Sequence, residues 1–299
     1  MTYIGRFAPS PTGLLHFGSL LAATASYLQA RSQQGQWLLR IEDLDKPREQ
    51  AGAAEAIIQT LALYGFEWDQ PIVYQSQRLP AYTEALQNLH SYIYACNCSR
   101  KQLQVAASMG SFGLIYPGTC HAKYLDINAN LAIRIKTTDQ QIYFHDYIQG
   151  EYCQTLAREL GDFVIRRADQ IFAYQLAVVV DDAWQGVTEI VRGSDLLDNT
   201  PRQIYLQQLL GYSTPSHVHI PIIINQLGQK LSKQTLAPAL STHTEYLLGN
   251  LCKALEFLGQ TTVNSNTFAS TKEFWDWSIA HWDLNKVPKQ LACHQIIST

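Results

Sequence analysis

Arg6-Phe7-Ala8-Pro9-Ser10-Pro11-Thr12-Gly13-Leu14-Leu15-His16-Phe17-Gly18-Ser19 decides the fold of this chain. Tyr3 to Ala8 reads as a buried strand, and Pro9, Pro11 and Gly13 then forbid either regular structure from continuing. Beyond Gly18 the period changes: Leu20, Leu21, Thr24, Tyr27 and Leu28 recur at three- and four-residue spacing, so a helix begins near Gly18. A strand, a tight turn and a helix N-terminus make a joint whose amides and dipole favour an anion. Neither G-x-G-x-x-G nor Gly-Lys-Ser/Thr stands at the joint, which excludes the dinucleotide fingerprint and the P-loop.

Outward from this joint, Trp37-Leu38-Leu39-Arg40-Ile41 is a second apolar strand that ends in Glu42-Asp43-Leu44-Asp45. Open parallel sheets place ligand groups at such carboxyl ends. Ala51 to Tyr64 has the pattern of a crossover helix stopped by Gly65, and Pro80 opens another helical run that reaches Tyr94. Strand, helix, strand, helix predicts an α/β chain with a doubly wound parallel sheet. Leu131–Lys136 and Ile142–Tyr147 read as an antiparallel hairpin with one wet face. Phe172 to Asp182, with its Val178-Val179-Val180 run, reads as a buried element with Tyr174 in a strand-like setting. Gly186–Gly193 and His217–Ile224 supply further strands, with a helix capped by Thr200 between them. Helices over Leu240–Leu258 and Thr271–Trp282 close the chain.

The 299 residues are 46% hydrophobic and 16% charged, a globular composition, and the net charge of -3 argues against indiscriminate binding to nucleic acid. No stretch approaches the roughly 20 apolar residues of a membrane span, and no export signal opens the chain, so the expected location is the cytoplasm, away from membranes. Six cysteines spread over such a chain point to burial or metal rather than to a disulfide framework. Cys96, Cys98 and Cys120 fall within 25 positions, and zinc takes four ligands in a tetrahedron. Tyr116, His121 and Tyr94 are the candidates for the fourth position. Cys153, Cys252 and Cys293 have no partner spacing.

Pro11-Thr12-Gly13-Leu14-Leu15-His16-Phe17-Gly18 resembles the first signature of class I aminoacyl-tRNA synthetases of the glutamate-activating branch, with Ser19 where a second histidine usually stands. Lys230-Leu231-Ser232-Lys233-Gln234 resembles the second signature, Lys-Met-Ser-Lys-Ser, in the form used by the short glutamyl-queuosine group. Leu39-Arg40-Ile41-Glu42-Asp43-Leu44-Asp45, Ala177-Val178-Val179-Val180-Asp181-Asp182, Val191-Arg192-Gly193 and Asn199-Thr200-Pro201-Arg202-Gln203-Ile204 lie between them in the family's order.

The resemblance implies a Rossmann-type catalytic domain in two halves, 1–94 and 166–240. A zinc-binding α+β insertion over 95–165 separates them, and a short helical region, 241–299, replaces an anticodon-binding domain. It further implies glutamate held by Arg6, Ser10, Glu42, Tyr174 and Arg192, ATP held by His16, Gly18, Ser19 and Lys233, and catalysis by His16, Lys230 and Lys233. Magnesium would accompany ATP, and one structural zinc would sit on Cys96, Cys98, Tyr116 and Cys120. The implied partner is the queuosine-bearing anticodon arm of tRNA(Asp), with no obligatory protein partner. Glutamate would be activated without tRNA. Arg100, Lys101, Arg166 and Arg167 are the candidate contacts to that RNA. Two arginines suit a substrate with two carboxylates, since each guanidinium binds a carboxylate as a fork.

Overall fold

β1 (Ile4–Phe7) opens the sheet, and the turn after it feeds α1 (Phe17–Ser32), which returns the chain to β2 (Gln36–Ile41), parallel to β1. α2 (Ala53–Leu63) then crosses to the short parallel edge strand β3 (Val73–Tyr74). This is a computed structural model, describing residues 2–110, 113–225, 238–261 and 263–294. Gly65, at φ +78°, turns the chain out of α2 in a conformation that an L side chain resists.

The middle of the chain departs from the sequence reading in two places. The helix opened by Pro80 is α3 (Leu79–Asn88) and stops six residues before Tyr94, because Ile93 to Cys96 become a strand, β4. After α4 (Arg100–Ala106) and the small ribbon of β5 (Ser108–Gly110) and β6 (Gly113–Ile115) comes β7 (Ala132–Ile135). β8 (Gln141–Asp146) and β9 (Gly150–Thr155) form a hairpin, and α5 (Leu156–Glu159) leads to β10 (Phe163–Arg166). The two runs expected to pair with each other therefore do not. β7 lies between β4 and β10, both antiparallel to it, while β8 pairs with β9. Alternation predicted a wet face correctly, since β8 alternates exposed and buried residues, but alternation carries no information about the partner.

The valine run is helical. α6 (Tyr174–Trp184) buries every residue from Gln175 to Asp182 against α3 and its neighbours, so packing overrides the strand preference of β-branched side chains. β11 (Glu189–Gly193), α7 (Thr200–Leu210) and β12 (Ser216–Ile220) then form a further strand–helix–strand crossover, β11 and β12 being parallel. Thr200 lies inside α7, with Asn199 as its cap. Pro221 divides the last predicted strand, and beyond it β13 (Ile222–Ile224) pairs with β14 (Ala292–His294). α8 (Thr244–Phe257) and α9 (Thr271–His281) precede β14.

Two bonds between Ile4 and Thr188 join the halves: Thr188 N–H donates to the Ile4 carbonyl at 2.9 Å, and Ile4 N–H donates to the Thr188 side-chain Oγ1 at 2.9 Å. The spatial order is thus β3, β2, β1, β11, β12, then β8 and β9. Strand order reverses between β1 and β11, and a parallel sheet opens a crevice at that switch point, beyond the carboxyl ends of its strands. One core packs α1, β2, α8 and α9 through Tyr27, Trp37, Leu251, Phe274 and Trp275; a second packs α3, α6 and α7 around Tyr82, Leu176 and Leu206. Among the described residues no helix is long and apolar enough to cross a membrane.

Candidate active site and metal centre

The turn after β1 is tied to the segment after β2. Glu42 N–H donates to the Pro9 carbonyl at 3.0 Å and Gln50 N–H to the Pro11 carbonyl at 2.9 Å. These bonds bring the acidic end of β2 beside Ser10. His16 caps α1: its Nδ1 accepts the Ser19 N–H at 3.3 Å, and no acidic residue occupies the first turn. A cleft of about 550 Å³ opens at the switch point, lined by Pro9, Ser10, Thr12, His16, Gly18 and Ser19 from the first joint and by Gly193, Asp195 and Ile220 to Ile223 from the second half. Ala239 bridges to His16, and Leu240 N–H donates to the Leu15 carbonyl at 2.8 Å. The residues following the second signature thus touch the first. Lys230 and Lys233 themselves lie outside the described residues.

Of the residues expected to hold glutamate, only Ser10 lines this cleft; Arg6, Glu42, Tyr174 and Arg192 gather behind it in two groups. In the first, Asp182 accepts from Arg6 Nε at 3.0 Å and Nη2 at 3.2 Å, and from Arg40 at 2.8 Å. Burial disfavours the Asp182 charge, but Arg6 and Arg40 outweigh it and hold the carboxyl below its usual range. Glu42 stands 3.4 Å from Arg40 and is pushed up to about 7, chiefly by burial, against the pull of Arg40 and Arg6. The bonds of Arg6 to Asp182 use Nε and Nη2, the side edge of its guanidinium.

The second group has a different character. Arg192 is only 5% exposed, and among the described residues no carboxylate lies within 4.0 Å of its guanidinium. Its bonds run to neutral acceptors: Tyr174 Oη at 3.2 Å, His219 Nε2 at 3.0 Å, Thr200 Oγ1 at 2.9 Å and the Leu196 carbonyl at 3.4 Å. Burial accordingly holds its pKa below the ordinary arginine value. A buried cation without a counter-charge is costly, and an incoming carboxylate would relieve that cost.

Asp182, Arg40, Thr200, Asp146 and His219 were not singled out from sequence. Asp182 carried a signal, as an acid in an apolar run must find a cation. His217 and His219 carried one too, since their i, i+2 spacing puts two polar rings on one face of a buried strand. Arg100 and Lys101 are exposed, whereas Arg166 Nη2 donates to the Ile127 carbonyl at 2.9 Å and Arg167 bonds Asp45 and Asp169.

Away from the cleft, the sulfurs of Cys96, Cys98 and Cys120 lie within 4.8 Å of one another. Tyr116 Oη is 3.4 Å from Cys96 Sγ and 3.7 Å from Cys98 Sγ, and it accepts the Cys120 N–H at 3.0 Å. The two rival ligands are engaged elsewhere: His121 Nε2 bonds Asp162, and Tyr94 Oη donates to the same carboxylate at 2.6 Å. Gly161, at φ +68°, lies against Tyr116, where a Cβ would stand 2.6 Å from the Tyr116 carbonyl oxygen. Three soft sulfurs and a phenol oxygen around one point are a donor set that zinc accepts.

A parallel sheet with this switch-point cleft, a histidine at its first helix and an arginine at its second half define a class I synthetase catalytic domain. The family model described as tRNA synthetases class I (E and Q), catalytic domain, matches residues 4–290, and the chain belongs to that family. Its curated relatives include proteins named glutamyl-Q tRNA(Asp) synthetase. That of Pseudomonas paraeruginosa is 50% identical over 295 residues, covering 97% of this chain and 96% of the relative. That of Chromobacterium violaceum is 52% identical over 288 residues, covering 96% and 95%. In fold, the chain is similar to the crystal structure of glutamate-tRNA synthetase from Elizabethkingia anophelis, with a TM-score of 0.81 at 23% identity over 98% of this chain and 68% of that one.

Proposed function

We propose that this chain is an ATP-dependent ligase that activates L-glutamate to glutamyl-adenylate without tRNA, then transfers the glutamyl group to queuosine in the anticodon of tRNA(Asp). The observation that carries the reading is Arg192: a buried guanidinium without a carboxylate, one residue before the cleft wall at Gly193. The names of its relatives at about 50% identity support the same substrate set.

In this reading Arg192 and Tyr174 take one carboxylate of glutamate. Glu42 takes the ammonium, while Arg6 and Ser10 complete the pocket. The other carboxylate attacks the α-phosphorus of ATP, and the bond to the pyrophosphate oxygen breaks. The start of α1 and His16 face the phosphates, where positive potential lowers the barrier between two anions. Gly18 and Ser19 hold ATP with Lys233, and Lys230 and Lys233 complete the charge compensation. Magnesium, when bound with ATP, neutralises phosphate charge. A hydroxyl of the queuosine ring then attacks the glutamyl carbonyl and AMP leaves.

Cys96, Cys98, Cys120 and Tyr116 would hold one structural zinc, a role that would tie β4 to the loop before β7. The engagement of His121 and Tyr94 by Asp162 supports Tyr116 as the fourth ligand. The units run 1–94 and 166–240 for the catalytic halves, 95–165 for the insertion and 241–299 for the helical end, and the site of action is the cytoplasm. Incubation with ATP, labelled glutamate and queuosine-bearing tRNA(Asp) tests the function. Label is expected in the anticodon fragment after ribonuclease digestion, and label at the 3′ end or none at all overturns it.

A further inference from the structure

Behind Arg192 lies a polar line that the reaction as described does not use. Asp146, at the end of β8, and His219, in β12, have fully buried side chains. Asp146 Oδ2 is 2.6 Å from His219 Nδ1, and Oδ1 accepts backbone N–H groups from Ile148 at 3.0 Å, Gln149 at 2.9 Å and His219 at 3.2 Å. On the far side of the ring, His219 Nε2 meets Arg192 Nε at 3.0 Å. In register, His219 stands directly opposite Arg192 on β11, so the line crosses three strands.

The tautomer follows from donor arithmetic. Arginine has only N–H donors, so Nε2 must present its lone pair, and the ring proton therefore sits on Nδ1, where Asp146 accepts it. A protonated ring would turn a second donor, and a second positive charge, toward Arg192. We infer that Asp146 and His219 are positioning residues that fix the Arg192 guanidinium for the substrate carboxylate without setting a carboxylate of the protein against it. This inference rests on the reading of Arg192 as the carboxylate binder.

The contrast with Arg6 gives the physical reason for a histidine here. Asp182 grips Arg6 directly and takes up two of its N–H groups and much of its charge. An imidazole in that place orients Arg192 through one neutral bond, and the Asp146 carboxylate stays one ring away. Thr200 Oγ1 holds Nη2 at 2.9 Å, so two of the guanidinium nitrogens are anchored by neutral groups. Burial acts in the same direction, holding the His219 pKa down to about 4 against the pull of Asp146.

The test uses the intact protein in glutamate-dependent pyrophosphate exchange, with His219→Leu, His219→Gln and Asp146→Asn, and ¹⁵N-histidine NMR of the unaltered protein. His219→Leu removes the acceptor. Asp146→Asn reverses the last bond, because its amide donates to Nδ1 and moves the proton to Nε2, facing Arg192. Both variants should raise the KM for glutamate about tenfold or more and leave that for ATP within about twofold. His219→Gln places a carbonyl near the Nε2 position and should recover most of the glutamate KM. NMR should show the Nδ1–H tautomer throughout the neutral range. An Nε2–H tautomer, an imidazolium near neutrality, or glutamate and ATP KM values that rise together overturns the inference. Should glutamate fail to support exchange in the unaltered protein, the proposed function falls, and the tautomer still decides the line of bonds by itself.

Discussion

Replacing Arg192 with lysine keeps one positive charge in the same buried place and removes only the fork. In the present structure Nε, Nη1 and Nη2 serve His219, Tyr174, Thr200 and Leu196, and an ammonium with three donors cannot span those acceptors and still present an N–H to a carboxylate. A hydrogen bond to a charged group contributes about 1.5 to 3 kcal/mol. Loss of one such bond to substrate, with some loss of orientation, amounts to about 2 to 4 kcal/mol, or roughly 30- to 1000-fold in kcat/KM for glutamate. The assay is ATP–pyrophosphate exchange driven by glutamate without tRNA, with thermal unfolding recorded in parallel. The KM for ATP should stay within about twofold, because Arg192 stands behind the cleft proposed to take the nucleotide rather than in its lining. A kcat/KM for glutamate within about threefold of the unaltered protein would refute the assignment of Arg192 as the carboxylate binder.

Glu42 gives a pH dependence. Its pKa of about 7 means that the carboxylate needed to hold an ammonium is lost as pH falls below neutrality, so the glutamate KM should climb between pH 8 and 6, and Glu42→Gln should abolish that step. The sign for stability is opposite: the group is protonated up to about 7 in the fold but only to 4.5 in its ordinary state. The folded form thus binds more protons in that window, and stability should decline as pH rises through it, a slope that Glu42→Gln flattens in denaturant titrations. Elemental analysis should find one zinc per chain, lost in Cys98→Ser and weakened in Tyr116→Phe but retained in His121→Ala. Retention in Cys98→Ser with loss in His121→Ala would contradict the ligand set. Gly161→Ala should cost more than about 1 kcal/mol in thermal unfolding, because φ is positive and its Cβ would strike the Tyr116 backbone. An unchanged midpoint would show that the loop yields without cost.

Readable from the chain were the features whose causes are local. Pro9, Pro11 and Gly13 break any regular structure, so the joint between β1 and α1 was legible with its histidine, and the apolar run before Glu42 gave the second strand. The three cysteines were legible as a group because only six residues of that type exist in the chain. The valine run was not readable as a helix, since its preference is for strands and only burial on all sides makes α6 helical. Nor was the pairing of β7, whose partners begin 39 residues before it and 31 after it, at Ile93 and Phe163.

The sequence by itself determined the family, the joint between the first strand and helix and the residue types that an acidic amino acid needs, because each rests on short-range spacing and side-chain chemistry. Only the tertiary structure decided how the arginines differ. Arg6 meets Asp182 across 176 residues and shares its charge with that carboxylate, while Arg192 finds a neutral histidine instead. Electrostatic partnership is set by distance in space and by exclusion of water, and neither is encoded in the order of residues along the chain.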